Sequence, residues 1–231
     1  MKYTRLWWLV LTSLTLAAAV ILAPRPVHTG AEHHRHILII DPGHGGADGG
    51  ASAADGTLEC DLNLDIALRL DALASFWGVD TVMTRRSSQI DYPAEAQTLS
   101  AKKKADQHAR AALIDSISDG VLLSIHQNNY PSSSPSGIQI FYGGEAQSAS
   151  FAALMQDNFI SRICPENRRV AAPIDDSIYL MRTARCPSVL VECGFLSNPR
   201  ELEMLKNASY RTKLAVVMLA SYMEFTEGNQ L

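Results

Sequence analysis

Three apolar runs in this chain stop abruptly on a residue able to do chemistry. Ile37-Leu38-Ile39-Ile40 breaks on Asp41-Pro42-Gly43 and delivers His44, Val121-Leu122-Leu123-Ser124-Ile125 ends on His126, and Ser188-Val189-Leu190-Val191 ends on Glu192. Short β-branched and leucine runs bounded by turn residues predict strands buried on both faces. Between them the period changes. Leu62, Ile66, Leu70 and Leu73 recur at spacings of three and four, with Leu64 and Leu68 broadening the apolar face, so residues 61–76 are predicted as an amphipathic helix stopped by Gly78. Glu59 falls at the N-terminal cap of that helix, where the helix dipole favours a carboxylate.

The remaining elements follow in order. Residues 79–85 read as a strand, 86–99 as an exposed loop, and 101–117 as a helix capped by Ser100 and ended near Asp119-Gly120. A turn cluster at 131–136 precedes a strand of period two at 137–142 and a helix at 146–163 with Phe151, Leu154, Met155 and Phe159 on one face. Residues 168–182 are mixed and hold the short apolar segment Ile178-Tyr179-Leu180-Met181. Asn198-Pro199 opens a short helix through Leu205, and 210–225 closes the domain with another. Strands alternating with helices predict one α/β domain, and a parallel sheet brings strand ends together in the crevice where such sheets bind ligands.

Length and charge narrow the picture. The 231 residues suffice for one α/β domain with a sizeable core, and the net charge of −4 speaks against a nucleic-acid partner. Lys102-Lys103-Lys104 reads as a solvated helix start. The N-terminus is different in kind: residues 1–5 carry Lys2 and Arg5, 6–23 are apolar or small, and 24–36 form a polar linker holding His33, His34 and His36. This is the pattern of an export signal or a single membrane anchor. Cleavage near 17–19 is one alternative, but apolar residues continue through Val20, Ile21 and Leu22, which favours an uncleaved anchor. Either way the domain at 37–227 is expected outside the cytoplasm. Cys60, Cys164, Cys186 and Cys193 have no zinc-knuckle spacing and leave a disulfide allowed but unassigned.

His44, Glu59 and His126 make a His-Glu-His set of candidate metal ligands. Two neutral imidazoles and one carboxylate leave a zinc ion a net charge near +1 and an open fourth position, the arrangement of hydrolytic zinc sites. Glu192, ending its own strand, is the candidate general base. The plainer alternatives are a loop histidine at His44, a capping carboxylate at Glu59, and an ion pair of Glu192 with Arg182 or Arg185.

Asp-Pro-Gly-His-Gly-Gly at 41–46, Leu58-Glu59 before a leucine-rich helix, Ser124-Ile125-His126-Gln127-Asn128, and Val191-Glu192-Cys193-Gly194-Phe195-Leu196-Ser197-Asn198 stand in one order. Together they resemble the zinc-dependent N-acetylmuramoyl-L-alanine amidases of bacterial cell walls, from about Ile37 to Phe225. The resemblance implies a twisted, mainly parallel sheet of about five to six strands flanked by helices. It implies Zn2+ on His44, Glu59 and His126, Glu192 as the catalytic glutamate, and hydrolysis of the lactyl–L-Ala amide of peptidoglycan. A short anchor, a single domain and the 178–181 segment are similar to the germination-specific amidases of endospore formers. That likeness implies a role in muramic-δ-lactam formation in the spore cortex at the forespore envelope, with a downstream deacetylase and an activating partner protein. Division amidases carry a long inserted helix over the zinc, whereas 143–167 has room here for one ordinary helix only, so no blocking helix is expected. Asn128 and Arg85 are candidates for holding stem-peptide carboxylates or carbonyls, with structural roles equally open. Cys60 and Cys193 adjoin site carboxylates, and alternation is expected to point them away from the site. Competing readings are a vegetative or division amidase, a catalytically silent peptidoglycan-binding domain, and a zinc carboxypeptidase or deacetylase.

Overall fold

The computed structural model describes residues 36–228. The anchor at 6–23 and nearly all of the linker at 24–36 lie outside the described residues. Among those described, no helix is long and apolar enough to cross a membrane.

In chain order the elements are β1 (Ile37–Pro42), α1 (Glu59–Phe76), β2 (Thr81–Met83), α2 (Leu99–Asp115), β3 (Gly120–Asn128) and β4 (Gln139–Tyr142). There follow α3 (Ser148–Arg162), β5 (Ala172–Pro173), α4 (Tyr179–Thr183), β6 (Ser188–Phe195), α5 (Pro199–Lys206) and α6 (Ala208–Gly228). The strands form one sheet in the order β2-β1-β3-β6-β4-β5. β2, β1, β3 and β6 are mutually parallel, β4 runs antiparallel to β6, and β5 is parallel to β4. The expected mainly parallel α/β sheet of about five to six strands is therefore present, with six strands.

Alternation along the central strands divides the interior in two. Leu38 and Ile40, Val121, Leu123 and Ile125, and Val189 and Val191 point to one face, where α1, α3 and α6 cover them with Ile66, Leu70, Phe151, Phe159, Leu214 and Met218. Phe151 and Phe225 stack there with ring centroids 4.5 Å apart. Ile39, Leu122 and Leu190 point to the other face, where they join Ile114 of α2 and Leu180 and Met181 of α4 in a smaller cluster edged by partly buried residues such as Ile117, Phe141 and Ile174. This second core is small because the same face turns polar toward the strand ends.

Several boundaries differ from the sequence expectation. Helix α2 starts at Leu99 and is capped by Thr98, whose side chain accepts the Ala101 N–H, instead of by Ser100. β2 is only three residues long and Arg85 lies beyond it. Leu68 of α1 is exposed and Leu64 only half-buried, because Asn63, Ala67 and Ala74 share the buried face instead. β6 runs past Glu192 to Phe195, and its register against β3 passes from His126 opposite Glu192 to Asn128 opposite Phe195, one residue more on β6. The four cysteines are free thiols. Between β4 and β6 the only long helix is α3, which packs on the face opposite the second core.

Candidate functional site

The polar ends of the strands make the site. On the face of Ile39, Leu122 and Leu190, a further step of two along each strand brings Asp41, Ser124 and Glu192, and one more along β3 brings His126. These residues, with His44, Glu59 and Asn128, line a cavity of about 390 Å³. Part of its wall is apolar, formed by Ile174, Ile178, Leu180, Met181 and Leu190. Helix α4, part of that wall, is held to α2 by a stack of Tyr179 on His108 at 5.1 Å.

His44 reaches the cavity through a backbone that few residues adopt: its φ is +61°, in the left-handed region. Glycines make the approach feasible. A Cβ on Gly43 would stand 2.3 Å from the His126 ring, and one on Gly50, whose φ is +69°, would stand 2.5 Å from Glu59 Oε2. Glu59, the first residue of α1, does not cap it: Leu58 holds that place, and the carboxylate instead accepts the Ala51 N–H at 2.8 Å and the Gln127 N–H at 3.1 Å. Those backbone donors fix the carboxylate between the histidines. His44 Nε2 lies 3.3 Å and His126 Nδ1 3.0 Å from the same Glu59 Oε1, with the two imidazoles edge to face. One ligand atom from each of the three residues fits within 4.8 Å of the others, so they could hold a metal ion. The other nitrogen of His44, Nδ1, faces Asp48 Oδ2 at 2.8 Å, and Lys103 holds Asp48 Oδ1 at 2.9 Å.

Electrostatics separate the two carboxylates. Burial opposes the charge of Glu59, but hydrogen bonds and attraction from His126 and His44 outweigh it and hold its pKa far below the usual carboxylate range. Burial likewise works against protonation of His44, yet Glu59 and Asp48 push it up to about 9. Glu192 goes the other way: burial, aided by the charge of Glu59, pushes it up to about 7 against the pull of His126 and His44. Its Oε2 is sealed from solvent and has no hydrogen-bond partner among the described residues. The alternative of an ion pair with Arg182 does not fit: Glu192 Oε2 has no partner among the described residues, and the Arg182 guanidinium lies over the Tyr179 ring.

The profile of the N-acetylmuramoyl-L-alanine amidase family matches residues 38–221, a span containing every one of these residues. The chain belongs to this amidase family. It is 37% identical over 180 residues to the germination-specific N-acetylmuramoyl-L-alanine amidase of Bacillus subtilis, covering 78% of this chain and 75% of the relative. It is 32% identical to the LytC amidase of the same organism over 77% of this chain and 33% of LytC. Among solved structures, the CwlD amidase of Clostridioides difficile, determined in complex with the GerS lipoprotein, superposes with a TM-score of 0.80 at 32% identity over 84% of this chain and all of that one.

Within the amidase domain, the two substrate candidates part company. Asn128 lines the cavity. Arg85 is buried with its guanidinium occupied by main-chain carbonyls: Nε donates to Pro42 O, Nη2 to Gly43 O and Cys60 O, and Nη1 to Ser87 O. Of the two readings of Arg85, the structural one fits this geometry. Cys193 points into the larger core, and Cys60 Sγ faces Asp61 at 3.7 Å, so neither thiol joins the donor cluster of the amidase. Lys103, expected in a solvated run, stands at the cavity rim.

A buried network beneath the cavity has no counterpart in the sequence reading. Asp41, 2% exposed, accepts from Ser124 Oγ at 2.6 Å, Thr84 Oγ1 at 2.7 Å and Arg110 Nη1 at 2.8 Å. These partners overcome the cost of its burial and lower its pKa. The available signal was Asp106 four residues before Arg110 on α2, a pair that also occurs on solvated helix faces.

Proposed function

We propose that this amidase cuts the lactyl–L-Ala bond of peptidoglycan with a zinc ion held by His44, Glu59 and His126 and with Glu192 as general base. The observation that carries the reading is the convergence of three ligand atoms within 4.8 Å beside a carboxylate whose Oε2 has no partner. The donor set suits zinc: two imidazoles and a carboxylate fixed by backbone N–H groups. When bound there, zinc supplies Lewis acidity, which polarises a carbonyl and makes water more acidic. Glu192, raised to about 7, takes a proton from the attacking water and returns it to the departing L-Ala amine. Ile178, Leu180, Met181 and Leu190 give the cavity an apolar side, and Asn128, which also lines it, is the candidate for holding a stem-peptide carbonyl.

Identity to the germination-specific relative supports action on spore cortex, where peptide-free muramic acid would pass to a deacetylase. The solved relative's complex with a lipoprotein supports a protein partner for this chain. The apolar stretch at 6–23 supports delivery outside the cytoplasm with a membrane tether.

Mass spectrometry of peptidoglycan digested with the full chain, with and without zinc, tests the reading. Free stem peptides and peptide-free muramic acid should appear only with zinc, and Glu192→Gln should lower their release by roughly 10²–10⁴-fold. Undiminished release by Glu192→Gln would remove Glu192 from the mechanism.

A further inference from the structure

Two buried arginines, Arg85 and Arg110, enclose the turn that carries His44. Arg110 donates Nη1 to Pro42 O at 2.8 Å and Nη2 to His44 O at 2.6 Å, while Asp41 and Asp106 fix its guanidinium from either side. Arg85 donates Nε to the same Pro42 O at 2.9 Å and Nη2 to Gly43 O at 3.0 Å. The same Nη2 reaches Cys60 O at 2.9 Å, in the first turn of α1 beside Glu59. Three successive carbonyls, 42 to 44, are thus held by two side chains, one from the loop after β2 and one from α2, and the first of these also grips the residue after Glu59.

The turn needs such a hold. A left-handed φ is costly for a residue with a Cβ and persists only where surrounding contacts over-determine it. Gly43, tied to Arg85, also sits against the His126 ring closely enough to exclude a side chain. We infer that Arg85 and Arg110 are positioning residues that set the His44 turn against Glu59 and His126 and thereby fix the spacing of the metal-ligand set. The inference rests on the zinc reading above. Lysine cannot substitute: it offers one compact ammonium, whereas the task requires a rigid fork reaching several carbonyls at once.

The test uses the full chain in detergent and two readouts. One is Zn2+ affinity by competition with a chromophoric chelator; the other is the metal-free 13Cα and 13Cβ shifts of His44, which report its φ. Arg110→Lys and Arg85→Lys should each weaken zinc binding by roughly ten- to a hundredfold and move the His44 shifts away from left-handed values. Asp106→Asn, which loosens Arg110 without altering its buried volume, should do the same in smaller measure and serves if the lysine variants fail to fold. Arg211→Lys is the control: Arg211 also joins a carboxylate, Asp65, to a main-chain carbonyl, Leu205 O, but outside the site. Zinc affinity within twofold of the unaltered chain in both lysine variants, or an equal loss in Arg211→Lys, would overturn the proposal. An unaltered chain that takes up no zinc would overturn the metal reading instead, and the His44 shifts would still read the clamp.

Discussion

Glu192 acquires its chemistry from its place at the end of Val189-Leu190-Val191, where the strand carries it out of the core but not into open water. Burial favours its neutral form and moves it to about 7, and a cation on the three neighbouring ligands would favour its ionised form. The acid limb of kcat/KM should therefore fall between the ordinary 4.5 and about 7 in the zinc-loaded protein, and Glu192→Gln should abolish the limb along with the rate. For stability of the metal-free chain the sign reverses. A folded pKa above the unfolded one favours folding fully below pH 4.5, and that contribution is lost as pH rises through about 7. Asp41, held low by Arg110, Ser124 and Thr84, contributes stability that is lost as pH falls below 3.8. Urea melts of Glu192→Gln and Asp41→Asn against pH separate the two. His126 and Glu192 are legible because each closes an apolar run, and His44 because it follows the turn that breaks one; Glu59 only precedes a helical pattern and is the least marked of the four. Asp41 was passed over although it stands in the same run, since a carboxylate followed by Pro-Gly reads as a turn residue and nothing local tells that an arginine sixty-nine positions away will meet it.

At the scale of elements, strands announce themselves better than helix α2 does. β1, β3 and β6 are buried on both faces, so composition alone marks them. α2 buries only Arg110 and Ile114, and with so few apolar residues on its buried side the helical period carries almost no information about orientation or register. The pattern therefore puts its start two residues late, at 101, and its cap on Ser100 instead of Thr98. The cap is testable: Thr98→Ala should cost about 1 kcal/mol in denaturant unfolding, while Ser100→Ala should stay within about 0.5 kcal/mol. Helix α4 and the two-residue β5 escaped for another reason. Elements this short draw their stability from what they pack on, here Tyr179 on His108 and Phe141 opposite Ala172, and not from a local pattern.

At the scale of the whole molecule, the ligand atoms sit on three separate pieces of chain, the turn after β1, the start of α1 and the end of β3. A metal bridging them should bind the folded state alone. Zinc at roughly a hundred times its Kd should stabilise by about 2.7 kcal/mol, a rise of roughly 5–10 °C in Tm for a domain of this size, and Glu59→Gln should erase the rise in a calorimetric scan. The two cores frame this site unequally. The large one, behind the sheet, joins α1, α3 and α6 to the strands; the small one lies on the side where the chemistry is done. Descendants of such a chain can accordingly lose or exchange the residues of the working face while inheriting an intact scaffold.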